Sequence, residues 1–166
     1  MPEKRTLERA ARDRRQGKAP STQAGEFVRE EMDHIREGKH GARSTKQAIA
    51  IGLSKARRSG VDLPPPKSGS SRTRKSAARD YARGHGTRRR GKASAKRSRA
   101  TSRALKREGR SAASHSALAK QARTSARRRS KSSRSAAARR ASRTKGAATR
   151  SAAARKGART RQARAH

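Results

Sequence analysis

Apolar positions recur at helical spacing in the first third of the chain and become rare after it. When residues 21–37 are placed at 100° per residue, one stripe of roughly 140° collects Ala24, Phe27, Val28, Met32 and Ile35. The opposite side carries Glu26, Glu30, Asp33 and Glu37. The pattern therefore predicts an amphipathic helix from Ser21 or Thr22 to Glu37, with an acidic solvent face and Gly38 as its cap.

One further helix is expected on each side of this one. Residues 5–16 have helical charge pairing and a narrow apolar face. The run of residues 44–47, Ser-Thr-Lys-Gln, is a capping box, and the helix that it opens is expected to reach Ser59 before Gly60. We therefore predict a mostly α head: a helical hairpin over residues 21–63, with residues 1–20 as a charged helix or arm.

The pattern changes at the proline run of residues 64–66, which predicts a stiff linker. Residues 67–166 contain 34 Lys or Arg, 25 Ala and 17 Ser, and their only large apolar side chains are Tyr81, Leu105 and Leu118. Three such residues cannot build a core, and like charges repel one another. We therefore expect residues 67–166 to be a low-complexity Arg/Ala/Ser tail that is intrinsically disordered alone. Because Ala and Arg favour helices, the tail is expected to become helical on binding a polyanion.

The composition narrows the classes of function. The 166 residues carry 49 Lys or Arg against 11 Asp or Glu, a formal net charge of +38, and only two aromatic side chains. So few large apolar residues do not fit an ordinary globular enzyme, and we expect none. The absence of cysteine excludes a disulfide framework and thiolate chemistry. The longest apolar run, residues 48–53, is too short to cross a bilayer, so no membrane insertion is expected.

Candidate catalytic and metal-binding groups are scattered along the chain. The five histidines do not pair at the i, i+4 spacing of a helical metal site, and His34 and His40 fall on different sides of a helix end. Glu30 and Glu31 are adjacent carboxylates, but the pattern favours a solvated helix face over a closed acid–base site. The sequence therefore predicts no catalytic residue, no metal site and no cofactor.

Clusters of Lys and Arg are the candidate nucleic-acid contacts. Lys39, Arg43 and Lys46 surround the start of the third helix, where unpaired backbone donors can hold a phosphate. Arg57 and Arg58 lie near the end of that helix. The remaining candidates come from the basic runs of the tail: Arg88, Arg89, Arg90, Lys96, Arg97, Arg127, Arg128, Arg129, Arg134, Arg139, Arg140, Arg150 and Arg155.

The predominance of arginine over lysine after residue 66 indicates how the chain would bind a nucleic acid. Arginine supplies 25 of the 34 cations after residue 66, which suits bidentate contact with phosphates. Tyr81 is the only aromatic residue in that region, so a row of stacking platforms for single strands is excluded. We expect DNA to be the main partner, with RNA as a second, in binding that neutralises phosphates and is largely indifferent to base sequence. Such a protein compacts DNA, and its expected location is the cytoplasm, on the nucleoid.

Two other functions stay open at this point. The head can be a protein-interaction module, or a surface for homo-oligomers, that the tail merely tethers to nucleic acid. Alternatively, the chain is an RNA- or ribosome-associated protein, because Arg-Ser sequence discriminates poorly between polyanions.

The stretch of residues 42–58, Ala-Arg-Ser-Thr-Lys-Gln-Ala-Ile-Ala-Ile-Gly-Leu-Ser-Lys-Ala-Arg-Arg, resembles an uncharacterised bacterial family of small basic proteins. The resemblance covers residues 27–58 and implies a bacterial DNA-binding protein with no catalytic residues. The tail resembles, in composition alone, the basic domains of bacterial linker-histone-like proteins and protamines. It departs from linker-histone tails in having no proline after Pro66.

Overall fold

A computed structural model of the chain describes residues 2–86, 94–144 and 146–163. These residues form eight α helices and one short 3-10 turn, Ser111–Ala113. The helices are α1 (Lys4–Arg15), α2 (Pro20–Arg36), α3 (Thr45–Arg58), α4 (Ser71–His85), α5 (Ala95–Arg107), α6 (His115–Arg127), α7 (Lys131–Thr144) and α8 (Ala147–Gln162). None of these helices is long and apolar enough to cross a membrane.

The first three helices begin and end where local chemistry indicates. Ser44 accepts a 3.2 Å hydrogen bond from the backbone of Gln47, whose side chain accepts one from the backbone of Arg43 at 2.8 Å. Gly38 and Gly60 follow α2 and α3 with φ of +78° and +87°, which an L side chain rarely adopts. The expected start and stop positions are within one or two residues of those observed.

The expectation that residues 67–166 are disordered, behind a head of two or three helices, is wrong. Helices α4 to α8 occupy most of the described part of this region. Serine explains much of the difference, because the residue before each of α4 to α7 is a serine whose hydroxyl accepts a backbone N–H of the first turn: Ser70, Ser94, Ser114 and Ser130. These serines follow a capping rule, and the Ala and Arg between them favour helix.

Alanine residues supply much of the packing between α2, α3 and the 3-10 turn. One apolar cluster joins Met32 and Ile35 of α2 and Ala48 of α3 to Ala112 and Ala113, which lie in the 3-10 turn. Alanines can be buried because helices that approach closely leave no room for larger side chains. A second cluster, around Phe27, joins α1, α2 and α3 to the segment after Gly60.

The chain divides into two compact units, and the first extends beyond the proline run to Gln121. Within it, α4 packs on α3 through Ala77, which is buried, and through Gly84. A Cβ on Gly84 would collide with the carbonyl oxygen of Arg57, so the close approach of the two helices requires glycine there. Ser54 of α3 also donates a 2.6 Å hydrogen bond to Asp80 of α4.

The turn after α5 is fastened to the α2–α3 region by backbone acceptors. The hydroxyl of Thr45 donates to the carbonyl of Ala112 at 2.7 Å, and the guanidinium of Arg36 donates to the carbonyl of Ala113 at 3.1 Å. Thr45 is buried, so this bond lies away from solvent. The first unit therefore holds residues far beyond the head by specific hydrogen bonds as well as by apolar contact.

The second unit spans residues 122–166 and contains α7, α8 and the end of α6. In its described part every residue whose burial is assigned is exposed or half-buried. The described residues of this unit therefore bury no apolar face. Helix propensity favours α7 and α8, and Ser130 caps the start of α7.

Candidate nucleic-acid interface

Helix α5 carries most of its cations on one side. At 100° per residue, five of its six Lys and Arg fall within about 100° of arc, and all five are exposed: Lys96, Arg99, Arg103, Lys106 and Arg107. Over a length of about 16 Å, this stripe places roughly one cation every 4 Å along the helix. None of the five forms an ion pair with a carboxylate among the described residues.

Helix α4 has a second stripe of the same kind. Four of its five cations lie within about 80° of arc and are exposed, namely Arg72, Lys75, Arg79 and Arg83. The other side of the helix bears Ala77, Asp80 and Gly84, which face α3. Packing of α4 on α3 therefore turns its cations toward solvent.

The end of α5 is held by the loop that follows α2. The backbone N–H of Gly41 donates to the carbonyl of Leu105 at 2.9 Å, and that of Ala42 to Gly109 at 3.2 Å. A Cβ on Gly41 would collide with the carbonyl of Glu108, so the close contact needs glycine. The carboxylate of Glu108 also lies 3.5 Å from the guanidinium of Arg43. The loop after α2 therefore fixes the position of the C-terminal end of α5, and with it the α5 stripe.

Helices α7 and α8 distribute their cations differently. Each carries five Lys or Arg, and at 100° per residue no sector of either helix wider than about 120° lacks one. Charge therefore surrounds these two helices, whereas on α4 and α5 it is concentrated on one side.

Two of the three cations that were expected to hold a phosphate at the start of α3 have carboxylate partners. The ammonium of Lys39 lies 2.9 Å from Glu37 and 3.2 Å from Glu3, and hydrogen bonds to Glu37 and then Glu3 raise the pKa of Lys39. Arg43 faces Glu108, and only Lys46 is exposed with no carboxylate partner among the described residues. Of the three, Lys46 is therefore the cation that remains available for contact with a phosphate.

The two arginines near the end of α3 have structural partners. Arg57 is 8% exposed and donates to the carbonyl of Leu63 at 3.0 Å, and burial lowers its pKa. Arg58 is exposed, donates to the carbonyl of Ser54 and lies 3.7 Å from Asp80. Arg57 is therefore withdrawn from any surface contact with phosphate.

The predicted residues of the basic tail are on the surface wherever the structure describes them. Exposed side chains are found at Lys96, Arg97, Arg127, Arg128, Arg129, Arg134, Arg139, Arg140, Arg150 and Arg155. Arg88, Arg89 and Arg90 lie outside the described residues. The sequence reasoning selected consecutive basic residues and missed Arg99, Arg103 and Lys106, which a search for cations at i, i+4 and i+7 would have found.

The acidic face expected on α2 is covered only in part, since Asp33 and Glu37 stay about half exposed. The side chains of Glu30 and Glu31 are 2% and 0% exposed, and the ammonium of Lys55 from α3 lies 3.5 Å and 2.7 Å from them. Arg9 of α1 lies 2.6 Å from Glu26. The prediction of a solvated face was wrong for these carboxylates, because cations from two neighbouring helices pack against them.

Two histidines that are separate in sequence meet beside these carboxylates. The rings of His34 and His40 are edge to face, with centroids 6.1 Å apart. One nitrogen from each ring and one oxygen of Glu31 lie within 4.8 Å of one another. These three side chains are the group in the described part of the chain with the atoms and spacing to hold a metal ion.

Comparison with known proteins gives a family match. Residues 3–68 match a family of unknown function, DUF6496, which is similar to this chain over α1 to α3 and the proline run. No curated protein and no solved structure matches the chain. Since the description of the family states no activity, the residues themselves have to support any function.

Proposed function

We propose that this protein is a non-enzymatic DNA-binding protein that neutralises and compacts duplex DNA without reading its base sequence. The observation that supports this proposal best is the pair of exposed cation stripes on α4 and α5, which no described carboxylate neutralises. On the same proposal the protein is located on a bacterial nucleoid.

The charge spacing supports binding to a polyphosphate. Each strand of B-DNA presents one phosphate per roughly 3.4 Å of helix axis, and the α5 stripe presents one cation per roughly 4 Å. Arg99, Arg103 and Arg107 provide planar groups that can contact two phosphate oxygens at once. The net charge of +38 adds a long-range attraction that does not depend on base sequence.

The side chains on these stripes support indifference to sequence. Readout of adenine in the major groove uses Asn or Gln aimed at the base edge by a helix in the groove, and readout of cytosine uses Asp or Glu. The α4 and α5 stripes contain only Lys and Arg, with Ser, Thr and Ala beside them. Phosphate contact is the simplest use for such a surface.

A salt titration tests the proposal. The full chain, freed of nucleic acid, is titrated onto a short duplex and onto a duplex of scrambled sequence at several salt concentrations. The logarithm of affinity should fall linearly with the logarithm of salt, by about 0.9 per phosphate contacted, and equally for both duplexes. Affinity that does not change with salt, or that differs more than tenfold between the duplexes, would overturn the proposal.

A matched pair of double variants locates the contact. Arg99→Gln with Arg103→Gln removes two charges from the α5 stripe, and should reduce the salt slope by about 1.8. Arg74→Gln with Arg97→Gln removes the same charge from the off-stripe side of α4 and α5, and should reduce it by less. Competition with structured RNA at one salt concentration decides which polymer is preferred.

A further inference from the structure

We propose that Glu31, His34 and His40 form a binding site for a divalent transition metal of the zinc class. The proposal concerns the first three helices and does not depend on nucleic-acid binding. Glu31 and His34 are three residues apart on α2, on the same side of the helix, and His40 returns to them from the loop after Gly38. Two imidazole nitrogens and one carboxylate oxygen are a usual ligand set for zinc.

The hydrogen bonding of His40 leaves a lone pair directed at Glu31. Its Nδ1 lies 3.1 Å from the carbonyl oxygen of Gly41, which can only accept, so Nδ1 carries the proton. In the neutral ring Nε2 is then unprotonated, and it lies 3.4 Å from Oε1 of Glu31. Two acceptors facing each other require either a second proton or a cation between them. A backbone carbonyl on Nδ1 is also the usual partner of a histidine that binds metal through Nε2.

Glu31 is buried without a hydrogen bond that would satisfy it. Its side chain is 0% exposed, and among the described residues neither carboxylate oxygen accepts an aligned hydrogen bond. Lys55 lies 2.7 Å from Oε2, close enough for charge attraction, but the angle is not that of a hydrogen bond. Lys55 therefore holds Oε2 by charge, while Oε1 remains directed at His40. A metal ion would satisfy Oε1.

The charges around the site have the sign that attracts a cation. Glu3, Glu30, Glu31 and Glu37 supply four carboxylates, whereas Lys39 and Lys55 supply two ammonium groups. Apart from the two histidines, the group carries two excess negative charges, next to a fully buried side chain. Burial of unpaired charge is unfavourable, and a divalent cation would neutralise it.

The geometry needs only a small adjustment. Ligand atoms of a tetrahedral zinc site at about 2.0–2.1 Å from the metal are roughly 3.3 Å from one another. The 3.4 Å between His40 and Glu31 already fits this spacing. His34 has to move closer. Its Nε2 donates to Oε1 of Glu3 at 2.8 Å, so metal binding through Nε2 displaces that proton and leaves Glu3 at hand as a fourth ligand. Glu3 is half exposed, so it can follow the ring.

Calorimetric titration of the full chain with ZnCl2, without nucleic acid, tests the site. We expect one zinc ion per chain and no comparable binding of Mg²⁺, which prefers oxygen ligands. The double variant of His34→Gln and His40→Gln should weaken zinc binding by about tenfold or more, since loss of even a supporting residue typically costs 10- to 100-fold. The control His115→Gln removes an exposed histidine at the start of α6, and should bind zinc as the parent does.

Substitution of Co²⁺ for zinc gives a second readout that needs no variant. Co²⁺ in this site should show the strong visible absorption of a tetrahedral ion, whereas an octahedral, weakly absorbing spectrum would contradict the ligand set. Zinc bound equally well by the His34/His40 variant, or no stoichiometric zinc in the parent, would overturn the proposal. Neither result affects the salt-dependent binding of DNA, so the two proposals fail separately.

Discussion

Asp80 accepts a 2.6 Å hydrogen bond from the hydroxyl of Ser54 and also lies 3.7 Å from the guanidinium of Arg58. After residue 66 the chain has only two acidic residues, Asp80 and Glu108. Glu108 likewise faces a residue of the first 66, Arg43. Both carboxylates of a region with 34 cations therefore connect it to the first 66 residues, Asp80 through α3 and Glu108 through the α2–α3 loop.

The contact between Ser54 and Asp80 should stabilise the first unit. Asp80→Ala leaves the partly buried Ser54 hydroxyl without this acceptor and removes a charge next to Arg58, so we expect it to lower the free energy of unfolding by about 1–3 kcal/mol. Ser54→Ala should cost about 1 kcal/mol. Urea denaturation followed by circular dichroism measures both, and the double variant should cost less than the sum of the two. Additive effects would show that the two side chains do not interact.

We expect substitution of glycine by alanine to have opposite effects at Gly84, where α3 and α4 approach closely, and at Gly157, which lies in α8. Gly84→Ala forces a Cβ against the carbonyl of Arg57, and we expect a loss of about 1–3 kcal/mol of stability. In Gly157→Ala, inside α8, the added Cβ meets only the far end of Arg161 at 4.0 Å. This substitution should stabilise the helix by about 0.5–1 kcal/mol. Thermal melts of the two variants provide the comparison. Equal stability of the Gly84 variant and the parent would contradict the packing of α4.

Tyr81 provides a pH-dependent test of the same region. Its hydroxyl donates to Asp62 at 2.6 Å, and this hydrogen bond raises the pKa of Tyr81 above its usual value. Since the folded pKa is raised, the contribution to stability is complete below the unfolded pKa of about 10 and is lost as pH rises through the folded pKa. Tyr81 is the only tyrosine, so phenolate absorbance follows it alone. Asp62→Asn should move the titration of the Tyr81 hydroxyl to lower pH. An unchanged midpoint would exclude the hydrogen bond between Tyr81 and Asp62.

Lys39 should contribute little to binding of nucleic acid, although it lies among basic residues. Glu37 and Glu3 hold its ammonium group, and the same contacts raise its pKa, so it stays charged but paired. We expect Lys39→Gln to leave the salt slope of DNA binding unchanged, whereas Lys46→Gln should reduce it by up to about 0.9. The comparison uses one duplex and one salt series. A larger loss from the Lys39 variant would show that phosphate displaces the carboxylates.

Local chemistry predicted the first three helices well. Gly38, Gly60 and the Ser44–Gln47 capping box each act on backbone groups a few residues away at most, so their effect can be derived without knowledge of the tertiary fold. The helices after residue 66 follow the same rule at Ser70 and Ser94, but the abundance of serine there concealed which ones were caps. The error was to treat charge repulsion as decisive over capping and propensity.

Tertiary contacts set the limit of prediction for the rest. Ala112 and Ala113 are buried because Met32, Ile35 and Ala48 pack against them. An alanine in a sequence does not by itself indicate whether it will be buried or exposed. Glu31 is buried because Lys55 of another helix lies against it. His34 and His40 meet because the chain reverses after Gly38, a cap that sequence shows, although the angle of the returning chain cannot be derived from it.

The contrast between one-sided and all-round cation distributions has a consequence for how each helix can approach a duplex. A helix with charge on every side, such as α7 or α8, presents a similar potential whichever way it rolls about its own axis, so it loses little orientational entropy on contact. On the proposed function, helices α4 and α5 dock on a duplex in one rotational setting. Their contacts with α3 and with the α2–α3 loop impose that setting during folding, so the orientational cost is met before binding.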